Sequence, residues 1–215
     1  MATRARGRPA LGDPTAVRTE DVLAAALETF AERGYEATSV RELARRLGVS
    51  HNLIPQRIGS KEALWYAAVD HGFSALGDAL AEAAGAMEEG DDVATLRALV
   101  VRFIEANAAR PALLRIITLE ATAPGPRLDH LFTRYIDPVR RFGQDLLERL
   151  RAEGQVRTDS VALVYFLMTH GAGGPVALPA LSERFGATVD PTDPEAVHRH
   201  AVEAADVLFD GLRTR

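Results

Sequence analysis

Four side chains with hydrogen-bonding chemistry crowd into seven positions of this sequence: His51, Asn52, Gln56 and Arg57. Such side chains can reach base edges or phosphates in the major groove of a DNA duplex. Lys61 follows four residues later, near an expected helix N-terminus, where backbone N–H groups also favour an anion. The chemistry on offer is recognition of double-stranded DNA. His51 and Asn52 are expected to face bases, with Gln56 as a further candidate, while Arg57 and Lys61 are expected to hold phosphate. Arg18, at the start of an earlier helix, is a further phosphate candidate.

Reaction chemistry finds no comparable constellation. The six histidines include no His-Glu-x-x-His pair, and His198 and His200, two apart on a helix, face different directions. There is no Gly-x-Ser-x-Gly elbow, no phosphate loop and no cysteine. The glycine-rich run at 171–174 follows an apolar helix rather than a strand, which argues against a dinucleotide site. An enzyme, a cofactor and a metal centre are therefore not expected.

The elements that would position the four residues are two short helices and a turn. Ser39 and Glu42 have capping-box spacing, which starts a helix. Val40, Leu43, Ala44 and Leu47 give that helix one apolar face. Gly48 can take the positive φ that ends it, and Val49 is placed to plug the core. Ser50 is a cap candidate for the second helix, held down by Ile54 and Ile58. Ser60 caps a third, beginning at Lys61. Two helices joined through a glycine turn make a helix-turn-helix.

The flanking residues extend the pattern. Ala26, Phe30, Gly34, Tyr35, Thr38, Ser39 and Val40 precede the motif; Leu43, Ala44, Gly48, Val49 and Ser50 lie within it; Ser60, Lys61, Glu62 and Leu64 follow. Over roughly Thr15 to Val69 this resembles the TetR family of bacterial transcriptional regulators. The resemblance implies an all-α fold in which a flexible basic arm (1–14) leads into a three-helix helix-turn-helix DNA-binding domain (15–62). A helical effector-binding and dimerisation domain (63–215) follows. It also implies that Thr38 and Ser39 lie near the DNA backbone. One departure stands out. Where the family usually has a tyrosine and then an aromatic pair, this chain has Pro55, Gln56, Arg57 and Ile58. A proline about five positions into the helix deletes a backbone hydrogen bond and bends or shortens the helix. The alternative function is a helical sensor or interaction dimer whose recognition helix has degenerated around Pro55.

Charge is distributed in keeping with a DNA-reading head. The chain carries −5 overall, yet residues 1–60 hold nine arginines against seven acidic residues, a net +2 that leaves −7 for the remainder. The arm Arg4-Ala5-Arg6-Gly7-Arg8-Pro9 has the character of a minor-groove binder. Absence of cysteine fits a reducing cytoplasm. The N-terminus lacks a hydrophobic signal region, and the longest apolar run, Val161 to Met168, falls far short of the ~20 residues needed to span a bilayer, so no membrane is expected as a partner.

Helical patterning continues to the end. Leu96, Leu99, Val100, Phe103, Ile104 and Asn107 form one stripe, and Pro111 to Thr122 reads as a short apolar helix. A break or kink is expected at Pro138 within the pattern running from Leu131 to Leu150. Residues 161–170 are apolar all round, which demands burial on all sides. The last helix repeats Val197, Ala201, Ala204, Ala205, Leu208 and Leu212. The helices near 159–170 and 195–212 are expected to build a homodimer as half of an intermolecular four-helix bundle, giving the two-fold symmetry a palindromic operator needs. The Gly- and Pro-rich stretch from 171 to 194 joins them. By resemblance, the C-terminal part binds an unknown small-molecule effector. Phe103, Ile117, Tyr135, Phe142, Phe166, Met168 and His170 are the candidate pocket residues, apolar walls with a few polar anchors.

Overall fold

The structure, a computed structural model, describes residues 17–85, 91–186 and 189–214. The basic arm and the break expected after Gly85 fall outside the described residues. What is described is all-α. Three helices form the head: α1 (Thr19–Ala37), α2 (Val40–Arg46) and α3 (Leu53–Arg57). The long α4 (Lys61–Gly85) leads away from it to α5 (Asp92–Ala109), α6 (Pro111–Glu120) and α7 (Pro126–Leu131). Then come α8 (Asp137–Ala152), α9 (Val161–Phe166), the short α10 (Gly174–Ala177) and α11 (Pro179–Arg184), and finally α12 (Pro194–Leu212). No helix among the described residues is long and apolar enough to cross a membrane.

Two large apolar cores, and a small cluster of Ala108, Val176 and Val197, organise the described helices. The first joins Val22, Phe30, Leu43 and Ile54 of the head to Leu64, Trp65 and Val69 of α4 and to Leu113 and Ile116 of α6. Head and body therefore share one core, although the sequence places a boundary at residue 62. Gly72 makes the close crossing possible: a Cβ there would stand 2.6 Å from Leu27 Cδ2 and 2.9 Å from Leu113 Cδ2. The second core packs α5 against α8, α9 and α12 through Val100, Ile104, Leu146, Leu150, Ala205 and Phe209.

The expected kink at Pro138 is absorbed differently. Residues Phe132–Ile136 form a π-helical turn in which the Asp137 N–H donates to the Phe132 carbonyl, and Pro138 falls in the first turn of α8. Proline there lacks only an N–H that has no partner within α8. A second π-helical turn, Leu167–Ala172, extends α9.

Two features of the last helices bear on the burial expected of them. Residues 161–170 are not buried on all sides: Leu163, Phe166 and Leu167 are 48, 58 and 45% exposed. The stripe on α12 is largely taken up inside its own protomer, where Val197, Ala201, Ala205 and Leu212 are buried; Val207, off that stripe, stands 71% exposed. Val164 of α9 faces the core shared with α5 and α8, while Leu163, Phe166 and Leu167 are left half-exposed by the described residues.

Ion pairs tie the helices at their ends. Arg149 on α8 donates to Asp92 at the start of α5, at 2.6 and 3.1 Å, and this hydrogen bond holds the Asp92 carboxyl below the usual range against the opposing effect of partial burial. A depressed folded-state pKa stabilises the fold above the unfolded value of about 3.9 and ceases to do so as pH falls through the lower folded value. Asp92→Asn is accordingly expected to lower the urea midpoint modestly at pH 7, with the gap from the parent closing as pH drops below about 4.

Candidate nucleic-acid interface

Local chemistry builds the head as the spacing predicts, with one shift of register. Ser39 Oγ accepts from the Glu42 N–H at 3.4 Å, which opens α2, and α2 buries Leu43 and Ala44. The Glu42 carboxylate accepts from Arg33 Nη1 at 2.9 Å. Gly48 has φ of 66°, a left-handed conformation that would strain any side chain, and Val49 packs half-buried on the first core. Ser60 Oγ then accepts from Ala63 N–H and opens α4.

The register shift concerns Ser50. It does not cap the second helix directly. Its Oγ accepts from the Asn52 N–H at 3.4 Å, its carbonyl accepts from the Leu53 N–H at 2.9 Å, and α3 begins only at Leu53. Proline explains the delay. A helix running from His51 would need a Pro55 N–H to donate to the His51 carbonyl, and Pro55 has none. In the helix that forms, Pro55 is the third residue, where no intrahelical acceptor is required, and the first α-type bond runs from Gln56 N–H to the Asn52 carbonyl at 3.0 Å. The helix is shortened at its start, and no helical hydrogen bond is lost.

His51, Asn52, Gln56 and Arg57 are all exposed, and Ile54, fully buried, anchors α3 from beneath. Ser39 and Ser50 are exposed as well. Thr38 is not: it is 3% exposed, its hydroxyl donates to the Gly34 carbonyl at 2.8 Å, and its N–H donates to Tyr35. Thr38 thus finishes the C-terminus of α1, and both its donors are used inside the protein.

The three cations have partners that the sequence did not suggest. Arg18 lies exposed beside Asp21 and Glu20 at 3.4 Å, and its hydrogen bonds hold the Asp21 carboxyl below the usual range. Arg57 Nη1 donates to the Val17 carbonyl at 2.8 Å. Lys61 Nζ donates to the Glu36 carbonyl at 3.1 Å and lies 4.5 Å from the Tyr35 ring centroid. Arg57 and Lys61 therefore brace the recognition segment against the two ends of α1. Arg127, from the body, sits 4.0 Å over the same Tyr35 ring and pairs with Glu120 at 2.9 Å. Sequence reasoning also passed over Arg41, exposed in the first turn of α2; its signal was its place two residues after the helix cap.

Three of the proposed pocket residues meet. Phe103, Ile117 and Tyr135 line a cavity of about 60 Å³, together with Phe73, Asn107 and Tyr165 among others. Tyr135 donates its phenol to Asp70 Oδ1 on α4 at 2.5 Å, and His130 Nε2 reaches the same oxygen at 2.7 Å. Burial first, and then the Asp70 bond, push the Tyr135 phenol up to about 12, so it keeps its proton at neutral pH. The other four residues lie elsewhere. Phe142 and Phe166 are 45 and 58% exposed, Met168 packs in the second core, and His170 is exposed with Nδ1 beside Thr169 Oγ1. A helix apolar all round gives no sign of which face turns inward, and the π-helical turn resets the facing of residues after Phe166.

Residues 22–68 match the sequence profile described as bacterial regulatory proteins, tetR family. A helix-turn-helix transcriptional repressor of Mycobacterium tuberculosis is 46% identical over 50 residues, which is 23% of this chain and 27% of that protein. The match thus spans about a quarter of the length of the curated relative. Whole-chain similarity extends to solved structures. The ketosteroid transcriptional regulator KstR2 of Mycobacterium tuberculosis superposes with a TM-score of 0.72 at 22% identity, over 91% of this chain and 94% of that one. The TetR family transcriptional regulator PfmR of Thermus thermophilus gives 0.63 at 24% identity, over 93 and 100%.

Proposed function

Starting from a head, residues 22–68, that is a helix-turn-helix domain of the tetR family of bacterial regulatory proteins, we propose that the chain binds a two-fold symmetric DNA operator as a homodimer and releases it when a small molecule enters the helical body. One observation carries the reading: His51, Asn52 and Gln56 stand exposed on a turn and helix anchored by buried Ile54. Asn52 and His51 face bases, and Gln56 stands beside them. Ser39 and Ser50 offer hydroxyls to the backbone, and Arg18, Arg57 and Lys61 bring charge to phosphates. The repressor sense is supported by the mycobacterial relative that bears that name. Leu163, Phe166 and Leu167, with Val207 on α12, supply the apolar face for the second copy. A head whose recognition helix loses no hydrogen bond to Pro55 weighs against the degenerate-sensor alternative.

In vitro selection of randomised duplex DNA by the purified protein tests this: an enriched palindrome is expected, and none from folded protein would overturn the reading. Against the selected site, Arg57→Ala and Lys61→Ala are each expected to weaken binding to all sequences alike. Each should also make the slope of log K against log salt shallower by about 0.9. Asn52→Ala is expected instead to change the order of preference among sites. Titrations at several salt concentrations separate the two behaviours.

A further inference from the structure

Asn107 carries a buried polar atom with no hydrogen-bond partner among the described residues. The residue is 2% exposed, on the inward face of α5. Its Nδ2 donates to the Phe103 carbonyl at 2.7 Å. That bond fixes the orientation of the amide, since a carbonyl accepts from the NH2 group and not from the oxygen. Oδ1 is left without a hydrogen bond among the described residues. A buried acceptor without a donor is costly, and native interiors seldom tolerate one. Asn107 lines the cavity of about 60 Å³.

The rest of the lining defines what such a donor belongs to. None of the described residues that line the cavity carries a charge, and the Arg134 guanidinium, which donates to the Tyr135 hydroxyl at 3.1 Å, lies 3.7 Å from Asp70, so a carboxylate or phosphate head would lose its water and find no counter-ion in the lining. The Tyr135 phenol already donates to Asp70. The remaining walls are chiefly apolar: Phe73, Leu76, Phe103, Ile117 and Val139. The volume is well below the ~150 Å³ that admits a benzene ring, so the cavity takes only the polar end and first carbons of a narrow chain, and the remainder lies in its mouth. Exposed Gly77 and Val139, 43% exposed, border the cavity and leave the chain an exit.

We propose that this cavity binds an uncharged, mainly aliphatic molecule whose terminal hydroxyl or amide N–H donates to Asn107 Oδ1. The inference rests on the effector reading above and deepens it by assigning the ligand its chemical class. The same occupant lies against Tyr135, whose bond to Asp70 clasps the cavity wall to α4, the helix that carries the head. Entry of a chain beside Tyr135 therefore strains a contact that reaches the DNA-binding end.

Three probes of similar length decide it: 1-hexanol, 1-methoxypentane and hexanoate, titrated into the ¹⁵N-labelled full chain while the Asn107 side-chain amide is followed by NMR. Hexanol is expected to shift that resonance with an affinity at least tenfold above the ether, and hexanoate to leave it unmoved. Asn107→Leu is expected to abolish the preference for alcohol over ether. Equal affinities, or no shift with any probe, would mean that water alone occupies the cavity and would overturn the proposal; the wild-type ratio decides even if the leucine variant does not fold. Operator affinity measured with and without hexanol keeps the two readings apart. Hexanol bound at Asn107 with no effect on the operator sinks the effector role and leaves the site standing. Operator binding intact with no alcohol preference sinks the site alone.

Discussion

Replacing Trp65 by alanine is expected to lower the free energy of unfolding by about 3–5 kcal/mol, and the loss falls on the head and the body together. Trp65 is 1% exposed in the first turns of α4, edge-on to Tyr66 at 5.2 Å and to His130 of α7 at 6.4 Å between ring centroids. It belongs to the core that holds Phe30, Leu43 and Ile54 of the head beside Leu113 and Ile116 of α6. Removing the indole opens a cavity where α1, α4 and α7 meet, and none of them can close it without leaving another contact. Because the core is shared, urea unfolding followed by circular dichroism should remain a single transition shifted to lower denaturant. Trp65 is the only tryptophan, so its fluorescence in the parent should report the same midpoint as circular dichroism. Two separated transitions, with only the earlier one moved by the substitution, would show that head and body fold independently and would sink the shared-core account.

The head was legible in the sequence because its determinants are local. Ser39 caps α2 three residues before Glu42, Gly48 takes the φ that its lack of a Cβ permits, and Ile54 is buried where the helical period puts it. The start of α3 was less legible. Ser50 has a capping residue's chemistry, yet Pro55 sets the start by denying His51 its hydrogen-bond donor, and this becomes visible only when both ends of that missing bond are considered. The burial of Thr38 was not legible, because its hydroxyl turns back to Gly34, a contact that depends on the kink at the end of α1. Roles that depend on long-range contacts were not legible at all. Nothing in the order of residues tells that Lys61 reaches the Glu36 carbonyl, or that Arg127 covers Tyr35. For the cavity, Phe103 was readable from its place on an amphipathic stripe, while Phe166 lies exposed away from it, on a helix with no polar face to orient it. Asn107 was visible as a polar residue in an apolar stripe, the usual mark of an inward hydrogen-bonding group, but its missing partner required the packed structure.

Phe166→Glu is expected to turn the proposed dimer into a monomer while leaving the protomer's own stability nearly unchanged. The ring is 58% exposed in the single chain, so its loss costs the protomer little, and a glutamate there remains in water. In the proposed two-fold dimer each substitution counts twice, and two carboxylates would meet the apolar surface that Leu163 and Leu167 leave exposed in the single chain. Burying a charge with no partner costs several kcal/mol, so dissociation should strengthen by a factor on the order of 10³ or more. Sedimentation velocity reads the mass, and urea unfolding of the same sample reads protomer stability. Operator affinity should fall with the dimer, because two heads held one helical turn apart bind far more tightly than either alone. A parent that sediments as a monomer, or a variant that stays dimeric, would place the second copy elsewhere. Loss of the dimer together with loss of the fold would instead mean that Phe166 is covered within its own chain, contrary to its exposure.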